Sequence, residues 1–144
     1  MPERNVEVVR SMWEPFEGID ATTIDWEDEA VREIIGQPFS PDVVLTWSAR
    51  WAGKREYRGR DGVIQAYKEW VEPFSEYFTE PLDYIEVGDE FVVVPTRQWG
   101  VGEASGVPVE TEVTHVFEFR EGQIVRLDEY ETVEEGLEAA GRGE

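Results

Sequence analysis

From residue 82 onward the chain alternates apolar and polar side chains with a period of two, and this pattern restricts its fold more than any other feature. The alternating runs are "LDYIEV", "FVVVPTRQWGV", "VPVETEVTHVFEF" and "IVRLDEYE", separated by "GDE", "GEASG" and "REGQ". Period-two runs joined by short glycine-containing turns are typical of antiparallel strands. The sequence therefore predicts a four-stranded meander over 82–131, followed by a short acidic helix over 133–140.

The first half of the chain has the longer spacing that is typical of helices. One stripe over 4–16 consists of Val6, Val9, Met12, Trp13 and Phe16. It predicts an amphipathic helix. A second helix is predicted over 26–35, closed by a glycine and a proline, and the β-branched and aromatic run over 42–51 is predicted as a strand.

The run "YRGRDGVIQAYKEWVEPFSEYF" predicts a third helix, with Asp61 as its N-cap. Its apolar stripe consists of Val63, Ile64, Tyr67, Trp70, Val71 and Phe74. Pro73 is expected to end or kink this helix. Helices first and an antiparallel sheet afterwards predict a single α+β domain over 1–144.

The charge of the chain restricts its partners. Thirty-three acidic and thirteen basic residues give a formal charge of −20. Such a surface repels polyanions, so we expect binding neither to nucleic acid nor to anionic membranes. No cysteine is present, no run reaches membrane-spanning length, and the first residues do not form a signal peptide. We therefore expect a cytoplasmic protein.

His115 is the only histidine, and it lies in an apolar row of a predicted strand. Alternation along 111–119 puts His115 on the same face as Val113 and Phe117, which we expect to be the buried face. On the last strand the same alternation groups Glu129 with Val125 and Leu127.

The turn between these two strands decides which acid faces His115. A three-residue loop, Arg120 to Gly122, pairs His115 with Leu127 and puts Glu129 diagonally beside it. A two-residue loop puts Asp128 opposite His115 instead. The first register is favoured because it keeps Leu127 on the Phe117 side. In both registers a carboxylate can approach the imidazole.

The remaining motifs are less informative. Pro95 interrupts the strand over 91–101, after which Arg97 and Trp99 share one face. With one histidine, no cysteine and carboxylates that alternate between faces, we expect no metal site. No dinucleotide loop, phosphate loop or nucleophile elbow is recognisable, so we also expect no cofactor.

Several segments together resemble the SnoaL-like polyketide cyclase family of the nuclear transport factor 2 superfamily. They are the opening "NVEVVRSMWEPFEGID", the strand start "PDVV", "YRGRDGV", and the tail "HVFEFREGQIVRLDEYETVEEGLEAAG". The resemblance implies a curved antiparallel sheet around a cone-shaped pocket, closed by three helices. It also implies that the protein forms a homodimer through the outer surface of the sheet.

The resemblance also implies roles for individual residues. The ketosteroid isomerase branch has a tyrosine and two aspartates where this chain has Met12, Trp47 and His115, so that chemistry is not expected. The limonene epoxide hydrolase branch matches at Arg97 and Glu129, with Trp99 in place of its other acid. The cyclases place a histidine and an acidic base on the last two strands, where this chain has His115 and Glu129. Their acid is usually an aspartate.

Two functional hypotheses follow. The first is a cofactor-free, cyclase- or isomerase-like enzyme acting on a small hydrophobic carbonyl compound. Its catalytic residues are Glu129, His115 and Arg97, and its pocket wall consists of Trp47, Trp99, Phe117, Leu127 and Val113. The second is a non-catalytic protein that binds a hydrophobic ligand or serves as a dimeric scaffold. In both, Trp13, Tyr67 and Trp70 are interpreted as helix-to-sheet packing.

Overall fold

A computed structural model describes residues 2–47 and 55–142 of the protein, which contain one curved sheet. Its strands are β1 (Phe39–Trp47), β2 (Arg55–Arg58), β3 (Phe74–Pro81), β4 (Ile85–Val87), β5 (Phe91–Gly102), β6 (Pro108–Arg120) and β7 (Gln123–Tyr130). The α-helices are α1 (Pro2–Trp13), α2 (Glu29–Gly36), α3 (Gly59–Val71) and α4 (Val133–Arg142). Two single-turn 3-10 helices, Glu14–Phe16 and Ala21–Thr23, follow α1. None of the helices in the described ranges is long and apolar enough to cross a membrane.

The strands are arranged in the order β2-β1-β7-β6-β5-β3, and β4 pairs with β5. Strands β4 to β7 form the predicted antiparallel meander. The pairing of β1 with β7 is parallel, so the sheet as a whole is mixed. The α+β class with a curved, cone-like sheet is confirmed.

Several element boundaries differ from the sequence prediction. Helix α1 ends at Trp13 rather than at residue 16, and α2 begins at Glu29 rather than at residue 26. Strand β1 begins at Phe39 rather than at residue 42, and residues 48–51 of the predicted strand lie outside the described ranges. Helix α3 begins at Gly59 with Arg58 in the N-cap position, so the assignment of Asp61 as N-cap was wrong. Asp61 lies in the first turn, where a carboxylate interacts favourably with the positive end of the helix dipole.

The segment after Pro73 forms β3 rather than a continuation of the third helix. The assignment of Phe74 to the helical stripe was wrong. It arises because the helical spacing continues into β3, through Trp70, Val71, Phe74, Tyr77 and Phe78. Helix α3 ends at Val71, two residues before the proline, as expected from the missing backbone N–H and the ring of Pro73. In the strand, Tyr77 and Phe78 point to opposite faces of the sheet.

Two buried clusters hold the sheet between its covering elements. The larger one lies on the inner face of the sheet under α1 and α3 and includes Val9, Leu45, Val63 and Val92. The smaller one lies on the outer face under α4 and consists of Phe91, Val93, Val116 and Ala140. Both faces of β6 are therefore buried around its midpoint, and this places His115 in a rigid part of the molecule.

Candidate functional site

The hairpin that carries His115 and Glu129 has a two-residue turn and a bulge. Glu121 and Gly122 both have positive φ angles, 53° and 80°, the pattern of a type I′ turn. Arg120 therefore pairs with Gln123, and Phe119 with Ile124. The next pair is Glu118 with Arg126, so the residue between Ile124 and Arg126 is an extra one in β7.

This bulge brings His115 directly opposite Glu129. Both predicted registers were wrong, because neither the three-residue loop nor the two-residue loop included an extra residue in the ladder. The bulge also changes the inward-facing parity of β7: Ile124, Leu127 and Glu129 are buried, whereas Val125 is only partly buried. The prediction that Val125 shares the buried face with Leu127 was therefore wrong.

His115 and Glu129 form a buried acid–imidazole pair. The two residues are 6% and 1% exposed, and Nε2 of His115 lies 3.6 Å from Oε2 of Glu129. This separation is too long for a strong hydrogen bond, but it is an electrostatic contact in a site with little solvent. The indole of Trp13 stacks on the imidazole with ring centroids 6.2 Å apart, and the Phe117 ring is in a T-shaped arrangement with it, with centroids 6.3 Å apart. These rings restrict the orientation of the imidazole.

The pair lines a cavity of about 320 Å³ between the sheet and the helices. This volume is in the range of small-molecule sites. Thr79 and Gln98 add polar groups from β3 and β5. Most of the remaining wall is apolar, and its aromatic members are Trp13, Phe16, Trp26, Tyr67, Trp70 and Tyr77.

The aromatic wall is built from helices and from β3. Trp26 and Tyr67 lie 6.4 Å apart between ring centroids, and the indole N–H of Trp70 donates to the hydroxyl of Tyr77. Burial raises the pKa of Tyr67, so its phenol stays neutral across the physiological range. Trp13, Tyr67 and Trp70 were interpreted only as packing residues; they also face the cavity. Their cavity-lining role could have been predicted, because they lie on the helix faces that cover a sheet with a buried histidine.

Arg97 and Trp99 lie on the opposite face of β5 from the cavity. Gln98, between them, is buried and lines the cavity, whereas the Arg97 guanidinium lies 4.3 Å from the Trp99 ring and pairs with Glu80 and Glu110. The prediction that Arg97 and Trp99 belong to the pocket was wrong because the alternation of β5 points both residues outward.

Three more of the predicted wall residues, Phe117, Leu127 and Val113, lie in the core rather than at the cavity surface. Phe117 and Leu127 are fully buried in the core on the same side of the sheet, and Val113 is buried two residues from His115. None of the three is among the described residues that line the cavity. Trp47 ends β1 opposite Arg55, and its side chain lies outside the described residues.

Asp20 attaches one cavity wall to the sheet. Its Oδ1 accepts hydrogen bonds from the N–H and hydroxyl of Thr22, at 2.9 and 2.7 Å, and from the N–H of Tyr77 at 3.0 Å. The cavity residues Ala21 and Ile24 lie in or next to the short 3-10 turn that Asp20 caps. Desolvation acts to raise the pKa of Asp20, but these three hydrogen bonds outweigh it, and the pKa is lowered.

This cap predicts a pH-dependent contribution to stability. A carboxylate whose pKa is lowered by folding stabilises the protein above its unfolded pKa, near 4, and loses this effect as the pH falls through the folded value. Asp20→Asn keeps the oxygen acceptor but removes its charge. We expect it to lower the free energy of unfolding by about 1 kcal/mol at pH 7, because hydrogen bonds to a charged acceptor are stronger than those to a neutral one. Urea titrations of both proteins should show this difference shrinking below pH 4. A difference that persists at pH 2.5 would contradict this assignment.

The described residues contain no group of three or more His, Asp or Glu side chains that could hold a metal ion. The chemistry available in the cavity is therefore considered from its own side chains. These are one buried carboxylate, one imidazole, and the neutral polar groups of Ser11, Gln37, Thr79, Gln98 and the two tyrosines, Tyr67 and Tyr77. They can accept, donate and transfer protons.

A cone-like sheet whose inner face and helices enclose a cavity is the nuclear transport factor 2-like fold. Residues 25–127 match the model of the SnoaL-like domain family. The chain belongs to this family, and the resemblance noted in the sequence is confirmed. No curated protein matches the sequence.

Solved structures with the same fold share little sequence with this chain. An NTF2-like protein of unknown function from Burkholderia pseudomallei K96243 is 20% identical, with a TM-score of 0.69 over 94% of this chain and 95% of its own. A protein from Jannaschia sp. CCS1 assigned as a SnoaL-like polyketide cyclase is 16% identical, with a TM-score of 0.70 over 97% and 93%. A protein from Catenulispora acidiphila DSM 44928 with a ketosteroid isomerase-like fold, in complex with trimethylamine, is 15% identical, with a TM-score of 0.65 over 94% and 92%. At these identities the similarity establishes the fold alone.

Proposed function

We propose that this protein is a cofactor-free enzyme that performs acid–base chemistry on a small, largely apolar carbonyl compound. The observation that carries the proposal is the buried His115–Glu129 pair in the wall of an otherwise mostly apolar cavity. A carboxylate and an imidazole held together away from water are the groups that a proton abstraction next to a carbonyl requires.

In the proposed reaction the Glu129 carboxylate removes a proton from the carbon next to the carbonyl. The electron pair of that C–H bond moves toward the carbonyl oxygen, which becomes an enolate. His115 stabilises the developing negative charge through an N–H donor, or donates that N–H proton at another position and is reprotonated by the carboxylic acid of Glu129. Proton return at another carbon of a conjugated enolate isomerises the substrate. Attack of the enolate carbon on a second carbonyl closes a ring, and the resulting alkoxide takes the proton from Glu129. Arg97 takes no part, because it lies on the outer face of the sheet.

The relatives support a small-molecule role of this kind without naming a substrate. One structure of the same fold holds trimethylamine, and another is assigned as a SnoaL-like polyketide cyclase. A second candidate function, non-catalytic binding of a hydrophobic ligand, is supported by the aromatic and aliphatic side chains that make up most of the cavity wall.

The single histidine provides the test of the proposed site. In a sample labelled at the imidazole, NMR gives one side-chain histidine resonance, which can be followed with a panel of small hydrophobic ketones. We expect some members of the panel to shift this resonance saturably and to exchange their α-hydrogens with solvent deuterium in the presence of protein. Saturable shifts without exchange would favour non-catalytic binding of a hydrophobic ligand. A resonance that no ketone of the panel shifts would contradict both functions.

We also propose that the protein forms a homodimer through the outer face of β3, β5 and β6. Phe78 and Trp99 stack there with centroids 5.6 Å apart, both only partly buried, and Arg97 covers the indole. An aromatic pair with an arginine is typical of the centre of an interface. We expect Trp99→Glu to convert the dimer to a monomer in light scattering after gel filtration. The control Ile19→Glu, at an exposed apolar position in the loop before Ala21, should stay dimeric. A monomeric wild type would contradict the proposal.

A further inference from the structure

We infer that the ligand of this cavity carries a positively charged amine. The inference rests on the proposed function in one respect, since it assigns the ligand to the same cavity. Among the described residues that line it, Glu129 is the only acid, and there is neither lysine nor arginine. The group of this wall that can attract a cation is therefore the Glu129 carboxylate, next to the His115 imidazole.

The position of that carboxylate makes its charge effective. Glu129 is 1% exposed, so its interaction with a bound cation is screened by little water. A carboxylate of an incoming ligand would lie near the Glu129 carboxylate, and the described wall offers it no guanidinium or ammonium group, only the His115 imidazole that already contacts Glu129. Charge therefore selects against anionic ligands in this cavity and in favour of cations.

The aromatic wall supplies the second element of cation recognition. Trp13, Trp26, Tyr67 and Trp70 all line the cavity, and Trp13 reaches the imidazole of His115. Tryptophan and tyrosine faces attract a desolvated ammonium group through the ring quadrupole, and aromatic walls around a carboxylate are a means of holding alkylated ammonium ions. A methylated amine also buries apolar surface against these rings, which a metal ion cannot do.

The charge of the whole chain acts in the same direction. At −20 the molecule raises the local concentration of small cations and lowers that of small anions near its surface. Exposed Ile34 from α2 is part of the cavity wall, so the cavity reaches the surface where this field acts. An amine-bearing carbonyl compound therefore meets both requirements, the charge and the proposed chemistry.

A matched pair of probes isolates the charge. Acetylcholine and 3,3-dimethylbutyl acetate have nearly the same shape and the same ester carbonyl, but the first carries a trimethylammonium group where the second carries a tert-butyl group. Both are titrated into the full-length protein while the His115 imidazole resonance is followed. We expect acetylcholine to bind at least about tenfold more tightly than its neutral isostere, even though the isostere is the more hydrophobic compound.

Three variants show which side chains produce a preference for acetylcholine over its neutral isostere. Glu129→Gln keeps the shape of the side chain and should reduce the preference for the cation several-fold. Glu86→Gln makes the same charge change on the exposed surface of β4 and should leave the preference unchanged. Trp26→Leu removes a π face but keeps an apolar side chain, so it should weaken binding of acetylcholine more than that of the isostere. Retained binding of the isostere then shows that the variant is folded.

The outcomes separate this inference from the proposed function. Equal or tighter binding of the neutral isostere overturns the inference that the ligand carries an amine. The proposed binding of a carbonyl compound in this cavity is unaffected by that result. A cation preference that survives both Glu129→Gln and Trp26→Leu overturns the assignment to this cavity. If neither probe moves the imidazole resonance while ketones of the panel do, only the amine is rejected; if nothing moves it, the amine and the proposed function are both rejected.

Discussion

Alanine in place of Gly100 is expected to lower the free energy of unfolding by about 3 kcal/mol, as forcing a methyl group into a close-packed interior does. Gly100 is buried in β5 and pairs with Tyr77 of β3. A Cβ atom at this position would lie 2.2 Å from the carbonyl oxygen of Glu76 and 3.2 Å from the Cα atom of Tyr77. Both contacts are to backbone atoms, so no side-chain rotation can relieve them, and β3 has to move. Urea denaturation followed by tryptophan fluorescence measures the loss.

A second glycine gives the matched control. Gly141 lies near the end of α4 and has open space where a Cβ would be placed. Gly141→Ala should therefore leave stability unchanged or raise it by a few tenths of a kcal/mol, because alanine favours the helix. If Gly100→Ala is as stable as Gly141→Ala, then β3 and β5 are not as close as the structure shows. Because β3 also carries Tyr77 and Thr79 into the cavity, the shifted strand should also weaken ketone binding.

The β5–β7 sheet could be predicted because its signal is local. Alternation over 111–119 placed His115 on an inward face, and turn residues marked the strand ends. The same reasoning brought a carboxylate of β7 to the histidine, but by the wrong pairing. Ile124 and Val125 are both β-branched and apolar, so nothing in their side chains says which one is the extra residue. Parallel pairing of β7 with β1 is also irregular at this point, between Phe39 and Val44, and that contact is not local in sequence.

The sequence does not show which face of β5 points toward the cavity. Alternation correctly grouped Arg97 with Trp99, but it does not say which group faces the helices, because α4 buries part of the outer face and an aromatic pair covers another part. Strand β3 is also not evident from the sequence. Its apolar residues continue the helical spacing of α3, and only Pro73 indicates that the helix has ended. Tertiary packing therefore decides both which face of β5 points inward and that the residues after Pro73 form a strand.

The largest functional effect is expected from Glu129→Gln. General-base catalysis by a positioned side chain is typically worth 10²–10⁴-fold, so the variant should lose at least about 100-fold in the rate of α-hydrogen exchange. The measurement uses the ketone of the panel that shifts the His115 resonance most, in deuterium oxide, with the disappearance of its α-protons followed by NMR. Glutamine keeps the size and the hydrogen-bonding oxygen of glutamate, but its amide does not accept a proton at neutral pH.

Binding and exchange must be measured on the same samples, because their separation identifies the role of the carboxylate. A base that acts only in the reaction leaves the imidazole shift of a neutral ketone intact in Glu129→Gln while exchange is lost. The surface control Glu86→Gln should retain both. Exchange at the wild-type rate in Glu129→Gln would exclude this carboxylate as the base. Loss of both binding and exchange would mean that the buried Glu129 instead maintains the shape of the cavity next to His115.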